Sequence, residues 1–205
     1  MKKFKTYIHL LLKYNKVHRL SGSKNEQEVE KNIEDSLYPI NFIDFENIKK
    51  VVDIGTGAGF PGMILAIELP DVHFTLVEPL MKRTAFLHLV KSTYGLQNVD
   101  IIRGRIEDAE AFEADLITSR AVAKTGFLID LSKNFVGENT EFLFYKGENA
   151  YDEVNDDMNY EIIKRDKRNY LWIKKVTDDY KTDYFRSCTL WNIFYILQKT
   201  WHVKK

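Results

Sequence analysis

Three closely spaced glycines and two acidic residues in the first half of the chain could form a nucleotide-binding turn. Gly55, Gly57 and Gly59 follow a short apolar run that ends in Asp53, and Glu78 ends the next apolar run. Glycine accepts a positive φ and lets the backbone approach a ligand closely, while the N–H groups at the start of a following helix favour a bound anionic group. A carboxylate at the position of Glu78 can accept hydrogen bonds from both hydroxyls of a ribose. The spacing therefore predicts nucleotide binding.

The spacing of these glycines does not fit the dinucleotide fingerprint. That fingerprint would place its third glycine at position 60, which is Phe60, whereas the third glycine here is Gly59. Asp53 is expected beneath the turn, where it orients backbone N–H groups or meets a ligand amine. This arrangement is typical of class I S-adenosylmethionine-dependent methyltransferases. The alternative is a tight strand-to-helix turn with Glu78 as a solvated strand end.

Alternating strands and helices are predicted to position these residues. Such alternation builds a doubly wound, mostly parallel sheet, and ligands bind beyond the carboxyl ends of its strands. The predicted strands are Lys50–Ile54, His73–Val77, Val99–Arg103, Leu116–Ser119 and Glu141–Lys146, followed by a hairpin of Tyr160–Lys164 and Tyr170–Val176 turned around Asp166–Asn169. The predicted helices are Phe4–Asn15, Gln27–Leu37, Met63–Leu69 and Lys82–Tyr94. We therefore expect a seven-stranded Rossmann-like domain at 49–176, an N-terminal helical segment at 1–48 and a C-terminal extension at 177–205.

Composition limits the classes of protein that fit this chain. Its 205 residues, 44% of them hydrophobic, suffice for one buried α/β domain with extensions. No apolar run is long enough for a membrane span or a signal peptide, so we expect a cytoplasmic protein without a membrane partner. The one cysteine, Cys188, is expected to be a packing residue, and the five histidines lack metal-ligand spacing, so no metal is predicted.

The charge of the chain leaves nucleic-acid binding open. Thirty basic and thirty acidic residues give a net charge of zero, so bulk electrostatics supply no argument. The basic residues cluster, however, and the clusters would form a phosphate-binding rim if they shared the face of the glycine turn; if scattered, they are ordinary solvated surface. The clusters are Lys2 to Lys5, Lys13 to Arg19, Lys82 to Lys91 and Lys164 to Arg168.

Five sequence blocks in order resemble one family. They are Asp53-Ile54-Gly55-Thr56-Gly57-Ala58-Gly59-Phe60-Pro61-Gly62, Leu76-Val77-Glu78 with Lys82-Arg83, Gly104-Arg105-Ile106-Glu107, Ser119-Arg120-Ala121-Val122-Ala123 and Tyr145-Lys146-Gly147. Together with Asp35-Ser36-Leu37 upstream, they resemble the RsmG family, first named glucose-inhibited division protein B. The resemblance spans about Tyr14 to Val176. It implies S-adenosylmethionine as the cofactor, 16S ribosomal RNA or the small ribosomal subunit or its precursor as the partner, and methylation of a guanine at N7.

The resemblance and the positions of the residues together imply roles at the cofactor. Gly55, Gly57 and Gly59 would admit the methionine portion, Asp53 would organise the turn, and Glu78 would hold the ribose. Ile106 and Glu107 resemble the stretch that contacts the adenine, although Glu107 can also be read as an acid that starts a helix. Phe60, within the glycine turn, is expected to line the cofactor or guanine pocket.

Two cations are candidates for the substrate side. Arg120 would hold RNA phosphate, stack on the guanine or contact the cofactor carboxylate, with a structural ion pair as the alternative. Lys146 is a candidate phosphate contact, with a solvated strand end as the alternative. No residue is expected to act as a general base, because guanine N7 carries a lone pair and no proton, so in-line placement suffices.

The chain departs from the family pattern at three places. Lys31-Asn32 stands where the family usually has Arg-His, and the lysine lacks the planar guanidinium fork. Glu78 replaces a more common aspartate. The tail after Val176 has an apolar run, Leu190 to Leu197, that is predicted to form a helix and to pack on the main domain, to self-associate or to have little function.

Two other functions remain open from the sequence. One is a methyltransferase for another RNA site, a small molecule or a protein, with the N-terminal segment as a lid over the substrate. The other is a nucleotide-binding module without catalysis, which the spacing of Gly59 and the presence of Asp53 and Glu78 argue against.

Overall fold

The computed structural model of the chain describes residues 1–154 and 158–176, and these form one seven-stranded sheet with helices on both faces. The strands lie in the order β3-β2-β1-β4-β5-β7-β6. All neighbours from β3 to β5 pair in parallel, and β7 runs antiparallel to both β5 and β6. The strands are β1 (Lys50–Ile54), β2 (His73–Val77), β3 (Val99–Ile102), β4 (Ala114–Arg120), β5 (Val136–Lys146), β6 (Met158–Arg165) and β7 (Arg168–Val176).

Five α-helices accompany the sheet in the described part of the chain. The second begins at the Asn25 cap, whose side chain accepts a hydrogen bond from the N–H of Glu28 at 2.9 Å. The fourth ends at Gly95, which has a φ of +66°. These are the usual start and stop signals of a helix. The helices are α1 (Lys5–His18), α2 (Glu26–Leu37), α3 (Gly62–Glu68), α4 (Met81–Tyr94) and α5 (Thr125–Leu131).

Alternation along the strands divides the core between the two faces of the sheet. Val51 and Val52 are both fully buried, but they belong to different apolar clusters. Leu143 and Phe144 on β5 divide in the same way. Buried residues of α1 and α2 belong to the cluster that also contains Val51, so the N-terminal segment shares its core with the sheet. The inner strands are apolar on both faces, as in other doubly wound sheets.

The predicted fold is confirmed, with differences at the ends of elements. β1 and β2 have the predicted bounds. β5 begins at Val136, five positions before the predicted start, because the polar stretch Gly137–Thr140 still continues the strand. The hairpin turn is shorter than predicted, since Asn169 already pairs with Lys164, and Asp166 takes a φ of +52°. The apolar run from Leu190 to Leu197 and Cys188 lie outside the described residues.

The start of α3 is packed too tightly for any side chain at position 62. A Cβ on Gly62 would lie 2.5 Å from Leu76 Cδ2 and 2.6 Å from Asp53 Oδ2, both far inside van der Waals contact. Only a glycine therefore lets this helix begin directly above the end of β1.

We expect Gly62→Ala to lower the free energy of unfolding by about 3 kcal/mol, because the added methyl group forces apart a close-packed core. Gly147→Ala is the matched control, since nothing lies within 4 Å of a Cβ built there. Urea unfolding followed by circular dichroism measures both. Equal midpoints for the two variants would contradict this account of Gly62.

Candidate functional site

A cavity of about 750 Å³ opens at the carboxyl ends of β1, β2 and β4. In the strand order, the chain proceeds from β1 to one side and returns on the other side through β4, so the cavity lies at the switch point of the sheet. Its walls include most of the residues that the sequence singled out, drawn from four separate segments. Among them are Gly55, Gly57, Phe60, Glu78, Ile106, Glu107 and Arg120.

The glycine turn presents two of its three glycines to this cavity. Gly55 and Gly57 have φ values of +67° and +65°. A Cβ on Gly55 would collide with Val122 Cγ2 at 2.6 Å, whereas the nearest atom to a Cβ on Gly57 is 3.9 Å away. Gly59 does not line the cavity, because its Cα faces Met63 and Leu87 in the core. Gly59 therefore has a packing role on that side, and its expected contact with the cofactor stays a prediction.

Asp53 lies beneath the turn and is fully buried. Its Oδ2 accepts a hydrogen bond from the N–H of Gly62 at 2.9 Å, which joins the end of β1 to the start of α3. Burial raises the pKa of the Asp53 carboxyl to about 6, although the Thr56 hydroxyl and the Gly62 N–H oppose the shift. Of the two roles predicted for Asp53, the geometry fits organisation of the turn.

Glu78 at the end of β2 is tied to the same turn. Its Oε2 accepts the N–H of Gly57 at 3.0 Å and lies 3.4 Å from Arg83 Nη1, and its Oε1 accepts the N–H of Leu80 at 2.9 Å. These contacts hold the carboxylate at the cavity wall. A carboxylate has about four lone-pair sites, so acceptor capacity remains for ribose hydroxyls.

Ile106 and Glu107 form part of a short 3-10 turn, Ile106–Asp108, on the far wall of the cavity. Ile106 is buried, and Glu107 is exposed with Oε1 3.6 Å from Arg105 Nη1. An apolar side chain and an acid therefore face the same space. Both readings of Glu107, as a ligand contact and as an acid at a helix start, remain compatible with its position.

Arg120 stands where the cavity meets a second depression, and it is held from the side of α2. Its Nη1 donates to Asn32 Oδ1 at 3.0 Å and lies 3.3 Å from Asp35 Oδ2, while Cζ lies 4.7 Å from the centroid of the Phe60 ring. Burial lowers the pKa of the guanidinium, and the Asp35 carboxylate opposes that shift. The ion pair considered for Arg120 is therefore present, and the same side chain also lines the cavity.

Asp35 is a residue of the site to which sequence analysis assigned no role. Besides Arg120, its carboxylate accepts hydrogen bonds from Arg168 Nε at 3.1 Å and from the Tyr170 hydroxyl at 2.7 Å. Asp35-Ser36-Leu37 was noted only as part of the family pattern. The partners lie 85 or more positions along the chain, so a single sequence carries no local signal of these contacts.

Lys146 does not stand on the rim of the site, which corrects its assignment as a phosphate contact. Its Nζ is buried and donates to Glu153 Oε2 at 2.7 Å and to the carbonyl of Ala123 at 2.9 Å. Burial raises the pKa of Glu153, but hydrogen bonds from Lys146 and Thr125 outweigh it and hold that pKa below its usual value. The alternative of a solvated strand end is excluded as well, and Lys146 anchors the loop that carries Val122.

The second depression, which we call the α2 groove, has a volume of about 840 Å³. It lies between α2 and the turn of the β6–β7 hairpin, and it shares Ser21, Gly22, Phe60 and Arg120 with the cavity. Of the four basic clusters, the one from Lys164 to Arg168 contributes three residues to the groove, and Arg83 alone from the cluster at Lys82 lines the cavity. The basic clusters therefore do not form a continuous rim.

The described residues offer neither a metal centre nor a membrane-spanning helix. No group of three or more His, Cys, Asp or Glu side chains there is arranged to hold a metal ion. None of the helices in those ranges combines the length and apolar character that a membrane crossing requires.

Comparisons with known proteins agree with the geometry. Residues 1–179 match the GidB family, described as rRNA small subunit methyltransferase G. Ribosomal RNA small subunit methyltransferase G of Wolinella succinogenes is 46% identical over 172 residues, which are 84% of this chain and 88% of that protein. The protein of the same name from Helicobacter pylori strain ATCC 700392 / 26695 is 48% identical over 149 residues, 72% of this chain and 83% of that protein.

Solved structures share the fold at low sequence identity. A putative S-adenosyl-L-methionine-dependent methyltransferase of Methanococcus maripaludis gives a TM-score of 0.56 at 19% identity, covering 77% of this chain and 93% of that one. Ribosomal protein L11 methylase of Lactobacillus delbrueckii subsp. bulgaricus gives 0.58 at 15% identity, covering 77% and 81%. At these identities the likeness shows the fold alone.

The buried Asp53 carboxyl predicts a dependence of stability on pH. Below pH 4 the carboxyl is protonated in the folded and unfolded states, and well above pH 6 it is ionised in both; between these values the folded protein binds the additional proton. The contribution of this group to the free energy of unfolding therefore falls by about 3 kcal/mol as pH rises from 4 to above 6. Asp53→Asn keeps an acceptor for the Gly62 N–H and should remove that fall. Urea unfolding of both proteins across this pH range measures it, and parallel curves would contradict the assignment.

Proposed function

Because the chain belongs to the GidB family of rRNA small subunit methyltransferase G proteins, we propose that it transfers a methyl group from S-adenosylmethionine to N7 of one guanine in 16S ribosomal RNA. Family resemblance points to guanine 527 of that RNA. The observation that carries the proposal is the cavity at the switch point of the sheet. Gly57 and Glu78 line the part of the cavity that suits a cofactor, and Arg120 borders both the cavity and the α2 groove.

The residues of the cavity fit the cofactor in three ways. Gly57 has no side chain where a Cβ would project into open space, so the backbone admits a ligand there. Glu78 brings a carboxylate suited to ribose hydroxyls, and Ile106 brings a buried apolar side chain suited to an adenine face. When bound, S-adenosylmethionine supplies a methyl group on a sulfonium, an electrophile that needs no further activation.

The reaction does not require a general acid or a general base from the protein. Guanine N7 has a lone pair and no proton to remove, so placement of N7 in line with the methyl group is the main requirement. Phe60 and Arg120 form the wall between the cavity and the α2 groove and are the side chains placed to orient the base. The fixed hydrogen bonds of Arg120 to Asn32 and Asp35 preorganise that wall before the substrate arrives.

Water must be kept from the methyl group during transfer. Leu80, Val122 and Phe127 line the mouth of the cavity, and each is close to half exposed. Exposed apolar side chains at a cavity mouth are buried when ligands fill it, which dries the site and strengthens the polar contacts inside. These three residues therefore form an apolar rim that can exclude water from the cavity when ligands are bound.

The N-terminal segment does not fit the alternative role of a free lid over a small substrate. Phe4, Tyr7 and Leu11 of this segment are buried in the same core cluster as β1. The Tyr7 hydroxyl donates to the carbonyl of Ala58 at 2.7 Å and so fixes α1 to the glycine turn. A segment packed in this way supports the turn from behind, which favours the RNA proposal over that alternative.

The function is tested by transfer of labelled methyl from S-adenosylmethionine to 16S ribosomal RNA. Naked RNA and small subunits lacking the modification serve as substrates, and strand cleavage specific for N7-methylguanine maps the product. Label at one guanine is the expected result. Cofactor binding without transfer to either substrate would overturn the RNA assignment and leave the methyltransferase fold.

Gly57→Ala should weaken binding of S-adenosylmethionine at least tenfold, because the new methyl group points into the cofactor half of the cavity. The matched control is Gly95→Ala, since Gly95 has nearly the same positive φ and open space around it but lies at the end of α4, outside the cavity. Both variants carry a similar backbone penalty. Calorimetric titration with S-adenosylmethionine measures the affinity of each variant. Equal losses of affinity in the two variants would remove Gly57 from the proposed site.

A further inference from the structure

The α2 groove continues the cofactor cavity beyond the wall formed by Phe60 and Arg120. Four residues border both spaces, so the cavity and the groove adjoin at that wall. A base placed at the wall could present its N7 edge to the cavity and leave the rest of its nucleotide in the groove. The groove is therefore the space available to the strand that carries the target base.

Two lysines flank the α2 groove without ion pairs to any described residue. Lys31 lies on α2, and Lys167 lies in the hairpin turn on the opposite wall; both are exposed. The three arginines of the groove are held instead. Arg165 pairs with Glu34 at 3.7 Å, and Arg120 and Arg168 share the single carboxylate of Asp35. Two guanidiniums on one carboxylate leave an excess of positive charge at the base of the groove.

The groove is not uniformly basic. Its five cations face five acids, of which Glu34 and Asp35 are paired and Glu28 accepts the N–H of Lys24 at the start of α2. Glu30 and Asp166 are in no ion pair with the described residues and lie on the same walls as Lys31 and Lys167. Such mixed walls repel a phosphate that is out of register and attract one opposite a lysine, so they favour an ordered strand over non-specific binding.

We propose that the α2 groove binds the single-stranded RNA segment next to the target guanine, with Lys31 and Lys167 contacting phosphates from opposite walls. This assignment rests on the proposed function and adds the path of the substrate to it. Lysine suits the task because its ammonium is a mobile point charge that can follow a phosphate. Phosphate contacts fix the register of the strand, and the wall of Phe60 and Arg120 receives the base.

The test compares the double variant Lys31→Ala/Lys167→Ala with a matched control, Lys5→Ala/Lys49→Ala. Lys5 and Lys49 are exposed and line neither the cavity nor the groove. Lys49 directly precedes β1 and so lies at the amino end of that strand, whereas the cavity lies at the carboxyl end. Both variants remove two positive charges. RNA binding is measured against salt concentration with a single-stranded oligonucleotide of 16S ribosomal RNA around guanine 527, alongside KM, kcat and the Kd for S-adenosylmethionine.

The groove variant should bind the RNA about tenfold more weakly and raise KM for RNA by a similar factor, with kcat and cofactor affinity within twofold of the wild type. Its plot of log affinity against log salt should be shallower by about 1.4, since a single-strand phosphate contact contributes about 0.7. The control should match the wild type. Glu30→Gln should act in the opposite direction and tighten RNA binding about threefold.

Three outcomes would overturn the proposal, and they differ from failure of the proposed function. Equal losses in the groove and control variants would show a bulk charge effect, and an unchanged salt slope would exclude phosphate contacts at the two lysines. Weaker RNA binding by Glu30→Gln would contradict the repulsion assigned to that residue. A wild-type protein that binds the RNA without methylating it would remove the proposed function while leaving the binding test of the groove intact.

Discussion

The site depends on one buried hydrogen bond, from the Gly62 N–H to Asp53 Oδ2. This bond fixes the start of α3 to the end of β1 and so determines how the intervening glycine turn is bent. Glu78, from the neighbouring strand, accepts the N–H of Gly57 and fixes the middle of the same turn. Because β1 pairs in parallel with both β2 and β4, the carboxyl ends of these three strands lie side by side. The backbone of the glycine turn is therefore held in place by residues of the buried core.

Residues of α2 hold the side chain of Arg120, which the sheet places at the candidate site. Arg120 at the end of β4 is held by Asn32 and Asp35, and Asp35 also accepts from Tyr170 on β7. Asn32 stands where the family usually has histidine, and its side chain still reaches Arg120 and the Ser23 hydroxyl. A short polar side chain is thus able to support the guanidinium at this position. The N-terminal segment is part of the site for this reason.

Short sequence patterns correctly predicted those elements whose bounds depend on neighbouring residues in the chain. The bounds of β1 and β2 followed from short apolar runs closed by an acid, and the turn followed from its glycines. The start of β5 did not, because the strand begins with Val136 paired to Ala114 of β4, and the next four residues lie in an irregularity before Glu141 pairs with Leu116. Lys146 was misread for a similar reason: its partner Glu153 lies in a later 3-10 turn, and nothing at the strand end marks the cation as buried. Likewise, a glycine such as Gly59 carries no sign of whether its missing side chain faces a ligand or a core residue.

The contacts of Asp35 also constrain the order in which the protein can be completed during synthesis. Asp35 leaves the ribosome early, but its partner Arg168 follows 133 positions later and is placed only when β7 pairs with β5. Until then Asp35 can pair with Arg120 but lacks Arg168 and Tyr170, two of its three side-chain partners. Loop closure over such a separation makes it a late event in folding. A nascent chain that already holds a complete glycine turn therefore still lacks two of the contacts that fix Asp35 beside Arg120.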